Sequence, residues 1–205
     1  MSTYMIKWLA VLLMVVDHVG FFLFPEQIIL RAIGRLSFPL FAFLIANGYQ
    51  YTKDKKKYLL RLFVFANIIQ LPSLFMSLPF NIFYTLSLGL VCIMIFESNR
   101  SDIQKILGII VMILIASVVN ADYGVYGMVI ILLVHVFKEK YMLMAISILL
   151  LSAAYYGLTH IQTLAALSPG IMYFYNNKKG RGMKYFFYLF YPVHMVLLDW
   201  LSRYI

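Results

Sequence analysis

Cysteine is almost absent from the 205 residues: Cys92 stands by itself inside the apolar run 88–96. This excludes an intramolecular disulfide and any cysteine-built metal site, and leaves the thiol to packing. Charge is scarce as well, at 12% of residues against 63% hydrophobic. A soluble domain carries about a quarter charged and half apolar residues, so a soluble globular fold is excluded. The first apolar stretch has no small-residue cleavage site after it and holds the pair Asp17-His18 instead, so it reads as a retained helix. The four histidines make no H-E-x-x-H or other ligand spacing, and no carboxylate cluster suits magnesium, which argues against a metal. Glycine-rich phosphate loops and a serine nucleophile elbow are missing too. No repeat, low-complexity tract, linker or alternating β pattern divides the chain.

What is present is apolar sequence throughout. The mean hydropathy of +0.88 is spread over the whole chain, as in a polytopic membrane protein. Stretches long enough for the hydrocarbon core fall at 5–24, 28–50, 58–77, 81–96, 103–119, 122–137, 141–157, 161–175 and 184–204. The expectation is an all-α transmembrane bundle of about nine helices, forming one integral-membrane domain over 1–205. Connections near 25–27, 78–80, 120–121 and 158–160 hold no Lys or Arg. The intervening ones hold Lys53, Lys55, Lys56 and Lys57; Arg100 and Lys105; Lys138 and Lys140; Lys178, Lys179, Arg181 and Lys184. This alternation follows the positive-inside rule and places the N-terminus and basic loops in the cytoplasm and the C-terminus outside a cytoplasmic membrane. The net charge of +9 is thereby a topology signal, not a nucleic-acid-binding stripe. The segment 161–175, short and holding Pro169-Gly170, is the weakest crossing.

Ionisable groups within a span are costly and are functional candidates. With a rise of 1.5 Å per residue, Asp17 and His18 lie about 9–11 Å from the outer end of the first segment, and Arg31 and Arg35 about 5 and 11 Å into the second. Asp17 and Arg35 match in depth. Asn81 and Thr85 open the fourth segment and Asp122 the sixth on the same side; the last segment brings His194 to mid-bilayer and Asp199 nearer the outside. Polar groups from five helices are expected to converge on one cavity in the outer half. Arg31 and Arg35, at i and i+4, share a helix face, with Asp17 and either Asp122 or Asp199 as counter-ions. Asp17 and Arg35 can also be read as an ion pair that only holds the bundle together. His18 beside a carboxylate suits a general base. His135 and His160 read as solvated or interfacial side chains, and the aromatic run 185–188 as interface belt and packing.

Five segments carry a family resemblance: K-W-L-A-V-L-L-M-V-V-D-H-V-G (7–20), G-R-L-S-F-P-L-F-A-F (34–43), Y-L-L-R-L (58–62), N-I-F-Y-T-L-S-L-G (81–89) and Y-F-F-Y-L-F-Y-P-V-H (185–194). From end to end the chain resembles the TraX family of conjugal-transfer proteins. The D-H, G-R-x-x-F-P and Y-P-x-H motifs are individually weak but specific in this order and spacing. The resemblance implies membrane-embedded acetylation. The founding member acetylates the N-terminal residue of a conjugative pilin, and the family is akin to transmembrane acyltransferases that use cytoplasmic acetyl-CoA. The motifs carry over to Asp17 and His18, to Gly34 and Arg35, and to Pro192 and His194. One departure is Asn47-Gly48 where many relatives have Glu-Gly, which removes a carboxylate.

Acetyl transfer needs a base for the attacking amine or hydroxyl and donors for the oxyanion. The expected roles are His18 as base, Asp17 and His194 as orienting groups, and Arg35 with Arg31, Asn81 or Thr85 as charge stabilisers. Arg61 and the lysines of the basic loops, among them Lys57 and Lys179, are expected to meet the CoA phosphates. The acceptor would be a membrane-associated or exported peptide or glycan. A transporter or proton-coupled channel using Asp17, His18 and Arg35 is the rival reading, and a structural subunit a third.

Overall fold

The hydroxyl of Ser2 accepts the N–H of Met5 and opens α1 (Thr3–Phe22). In this computed structural model residues 1–73, 80–181 and 184–204 are described. The end of the expected segment 58–77, the connection 78–79 and part of the loop 178–184 lie outside them, as do the side chains of Tyr185, Phe187 and Tyr188.

The second apolar stretch is broken into α2 (Ile28–Gly34) and α3 (Ser37–Tyr51). Pro39 causes the break: it has no N–H for the carbonyl of Arg35 four residues back, and its ring crowds that carbonyl. Ser168 donates its hydroxyl to the carbonyl of Leu36 at 3.1 Å, so the break is satisfied by a side chain. There follow α4 (Lys55–Ser73), α5 (Ile82–Phe96), α6 (Asp102–Val119), α7 (Gly124–Val136) and α8 (Tyr141–Tyr156). A 3-10 turn, Ile161–Leu167, runs into α9 (Ser168–Met172), and α10 (Lys184–Leu201) ends the chain. Local chemistry sets these limits. Ser101 and Gln104 form a reciprocal capping box at the start of α6, and Asn120 ends it in the left-handed region at φ 49°. Gly157 at φ 96° ends α8.

With α2 and α3 counted together, and the 3-10 turn with α9, the described residues make nine helical stretches at the expected places. Three of them, Thr3–Phe22, Ile28–Tyr51 and Asp102–Val119, are long and apolar enough to cross a membrane. The expected crossing 161–175 is seven residues of 3-10 helix and five of α-helix. On α6, Ile103, Ile106, Leu107, Ile110, Val111, Leu114 and Val118 are all exposed, an outward apolar face that water would disfavour and lipid accepts.

The chain divides into two units, residues 1–44 with 137–205 and residues 45–136, with α3 contributing to both. In the first, α1 lies on α2, and the buried core includes Ile6, Ala10, Leu40, Met144, Ile148 and Met172. Gly20 and Gly34 permit that approach: a Cβ on Gly20 would come 2.7 Å from the Cβ of Leu30, and one on Gly34 would overlap the side chain of Asp17. Ring contacts of Trp8 with Phe186 and of His18 with His194 show that α1 and α10 run side by side in the same direction. In the second unit α5 packs on α4, α6 and α7, and Cys92 is buried among Met112, Ala116 and Met128, as a packing residue should be.

Candidate functional site

Asp17 and His18 are consecutive on α1, so their side chains leave the helix about 100° apart and meet different neighbours. Asp17, 8% exposed, enters the space that Gly34 leaves open. Its Oδ2 takes Nη1 of Arg31 at 2.7 Å and its Oδ1 takes Nη2 of Arg35. Nη1 of Arg31 also donates to the Asp17 carbonyl at 3.1 Å. The equal depth of Asp17 and Arg35 is thus a direct contact. Asp199 is not their second counter-ion; it pairs at 2.7 Å with Arg203, four residues on and just past the end of α10. Two guanidiniums thus meet the one carboxylate of Asp17.

Arg35 is fixed at two more points. Its Nε donates to the carbonyl of Arg31 at 3.2 Å and its Nη1 to Oε1 of Gln162 at 3.1 Å. Gln162, 2% exposed in the 3-10 turn, is a positioning residue that the depth argument passes over. An amide in the apolar run Ile161 to Leu167 was its signal.

His18 turns to α10, where its Nδ1 lies 2.8 Å from Nε2 of His194. Nδ1 of His194 in turn lies 2.9 Å from the carbonyl of Phe190. Because a carbonyl only accepts, Nδ1 of His194 carries hydrogen, and in the neutral ring its Nε2 is an acceptor. His18 therefore donates through Nδ1, which leaves the lone pair on Nε2 of His18. The two rings are stacked at 16°, and His194 is stacked on Phe190 at 8°.

The remaining candidates sit in other settings. Asn81 caps α5, accepting from the N–H of Phe83, and donates to Gln70 Oε1 and to the carbonyl of Ala66. Buried Thr85 donates to the carbonyl of Asp122. Lys57 lies 3.5 Å from Asp54, whose carboxyl is held below the ordinary carboxylate range, chiefly by the backbone N–H of Lys57. Arg61 is exposed with its guanidinium over the ring of Tyr58. These four belong to residues 45–136, whereas Lys179 is exposed in the loop before α10. His135, expected as a solvated or interfacial side chain, is partly exposed and has a specific partner. Its Nε2 meets Glu97 at 2.7 Å between the ring edges of Tyr49 and Phe96. His160 caps the 3-10 turn and stacks on Tyr156. Phe186, from the expected belt, stacks on Phe190.

Residues 2–202 match the family model described as TraX protein. A relative from Dichelobacter nodosus, named probable fimbrial assembly protein FimC, serogroup H1, is 32% identical over 232 residues, covering 96% of this chain and 94% of that protein. A second, uncharacterized protein RP591 of Rickettsia prowazekii (strain Madrid E), is 33% identical over 98 residues, covering 46% of this chain and 38% of its own. No solved structure matches the chain.

Proposed function

The chain belongs to the TraX family, and from that premise we propose that it is a membrane-embedded acetyltransferase with His18 as its general base. It would move an acetyl group from cytoplasmic acetyl-CoA to an amine or hydroxyl of a membrane-bound or exported acceptor. The name of the D. nodosus relative favours a pilus subunit as that acceptor. The site of action is the cytoplasmic membrane, crossed nine times. An odd number of crossings needs first and last helices that run in the same direction, as α1 and α10 do.

The observation that carries the reading is the hydrogen bond between His18 and His194. It supports an assignment of Nε2 of His18 as the free base, with His194 in the orienting role that a carboxylate plays in a catalytic triad. As the acceptor nitrogen or oxygen attacks the thioester carbonyl carbon, its proton passes to Nε2 of His18. The new C–N or C–O bond leaves the carbonyl oxygen anionic. The guanidiniums of Arg31 and Arg35, held by Asp17, are suited to stabilise that oxygen. Collapse breaks the C–S bond, and the His18 imidazolium returns the proton to the departing thiolate. His194, neutral and accepting from Nδ1–H, stabilises the imidazolium meanwhile.

The test is to incubate purified protein with radiolabelled acetyl-CoA and an amine-terminated peptide, with His18→Ala as control. Acetylated peptide from wild type alone supports the reading. No label from either protein favours the rival transporter or channel.

A further inference from the structure

The basic end of α1 carries more positive charge than topology requires. Lysines in the cytoplasmic loops obey the positive-inside rule, but Lys7 lies in the second turn of α1 itself and is half-buried. The loop before α10 is laced to this end of the helix. The N–H of Asn176 donates to the carbonyl of Met1 at 2.9 Å and the N–H of Thr3 to the carbonyl of Lys178 at 2.8 Å. Gly180, at φ 68°, lies against Tyr4, where a Cβ would come 2.7 Å from the tyrosine Cβ. Lys7 is one turn above Thr3 on the same helix face, and Thr3 is bonded to the carbonyl of Lys178, the residue before Lys179. Lys178 and Arg181 flank Lys179 on that loop. Residues 1–16 and 173–198 hold no Asp or Glu. The adjoining loop, joined through the ring contact of Tyr141 with Tyr173, adds Lys138 and Lys140 against Glu139. Cations gathered this way match a ligand with several phosphates.

From this end a series of rings leads to the histidine pair. Trp8, next to Lys7, meets Phe186 at 4.9 Å between centroids; Phe186 meets Phe190 at 5.0 Å; Phe190 meets His194 at 4.7 Å; His194 meets His18 at 5.1 Å. Along α1, Lys7 is about 16 Å from His18. The pantetheine arm of CoA has roughly twelve bonds between diphosphate and sulfur, the reach of about four extended residues, or about 14 Å. The two spans differ by about 2 Å, which lies within the reach of a lysine side chain.

We propose that Lys7 and Lys179, with Arg181, hold the phosphates of the acetyl-CoA donor, and that its pantetheine arm lies along Trp8, Phe186 and Phe190 so that the thioester arrives at His18. The inference rests on the acetyltransferase reading. It makes α1 a ruler: phosphate at one end, chemistry one arm's length away.

The experiment measures CoA and pantetheine binding by calorimetry, with protein in discs of phosphatidylcholine and in discs containing phosphatidylglycerol. The double variant Lys7→Gln/Lys179→Gln should bind CoA at least tenfold more weakly than wild type in both lipids and bind pantetheine equally, while Lys7→Arg keeps CoA affinity. Equal CoA affinity of wild type and double variant overturns the proposal. So does a loss confined to phosphatidylglycerol discs, which would make the cluster a lipid-headgroup site. If the double variant fails to fold, the single change at exposed Lys179 carries the same comparison. The underlying reading has its own arm, acetyl transfer from S-acetylpantetheine, which lacks the phosphates. Wild type that binds CoA but transfers no acetyl group from acetyl-CoA or from saturating S-acetylpantetheine sinks the acetyltransferase reading and not the phosphate site; transfer from S-acetylpantetheine at equal rates by wild type and the double variant supports both.

Discussion

Nδ1 of His18 and Nε2 of His194 lie 2.8 Å apart and join α1 to α10 across 176 positions of sequence. The bond needs a hydrogen on one nitrogen and a lone pair on the other, so it holds when at least one ring is neutral. The carbonyl of Phe190 selects which ring donates. The pair therefore has one direction, with the free lone pair at Nε2 of His18.

His18→Gln keeps approximate size and hydrogen-bonding capacity but cannot take a proton. Acetyl transfer should fall about 10²–10⁴-fold with the fold intact. In wild type the rate should rise with pH as an imidazole loses its proton, and the variant's residual rate should lose that dependence. A pH–rate profile of both proteins decides this. Wild-type rates from the variant would move the base elsewhere, with His194 the first candidate.

His194→Phe preserves the stacking on Phe190 and removes the acceptor for Nδ1 of His18. Its effect should be a smaller loss than that of His18→Gln, carried in kcat with KM for acetyl-CoA little changed, since the substitution frees the His18 ring to choose the wrong tautomer. A loss confined to KM would show that His194 contacts the donor and does not orient the base.

Asp17→Asn leaves two guanidiniums facing an uncharged amide, and should destabilise by about 3–5 kcal/mol, the cost of breaking a buried pair. Arg35→Gln placed on top should recover part of that loss, with a coupling of about 0.5–3 kcal/mol in a denaturation cycle. Strict additivity would mean that the contact contributes nothing to stability.

The places of the nine helical stretches and the Asp17–Arg35 contact were legible from run length and helical rise, because both depend on position along an axis. Which way a helix is rotated about that axis was less so. The equal claims of Asp122 and Asp199 on the arginines could not be decided by depth, and Gln162, reached only through the 3-10 turn, had no periodic signal. The break after Gly34 is the work of Pro39, read as part of a motif without its backbone consequence. The partner of His135 was not legible because Glu97 lies 38 positions away on another helix. His194 was expected as an orienting group for His18 without a bonding geometry; the tautomer direction required the Phe190 carbonyl.

Gly34 is the position where one methyl group should do most damage. In Gly34→Ala the new Cβ overlaps the Asp17 carboxylate, which is held on both oxygens by arginines and cannot swing aside. Overpacking of this kind costs about 1–3 kcal/mol. Thermal unfolding should show a lower Tm, with acetyl transfer falling alongside. An unchanged Tm would mean that α1 and α2 can separate without penalty.

The last prediction concerns direction in the membrane. On the proposed topology the basic loops lie in the cytoplasm, and the shared direction of α1 and α10 would put the end of α10 on the opposite side from the start of α1. In a chain whose Cys92 is replaced by alanine, a cysteine at Lys55 or Lys179 should be shielded from an impermeant thiol reagent in intact cells and labelled after permeabilisation. One at Ser202 should be labelled in intact cells. The critical position is Lys179, because the stretch before it, Ile161–Met172, is among the short apolar helices. Seven residues of 3-10 helix at about 2.0 Å and five of α-helix at about 1.5 Å extend roughly 21 Å, less than the 30 Å hydrocarbon core. If that stretch re-enters without crossing, Lys179→Cys is labelled from outside. Such labelling would refute the count of nine, and a cytoplasmic donor could not reach a phosphate site that includes Lys179.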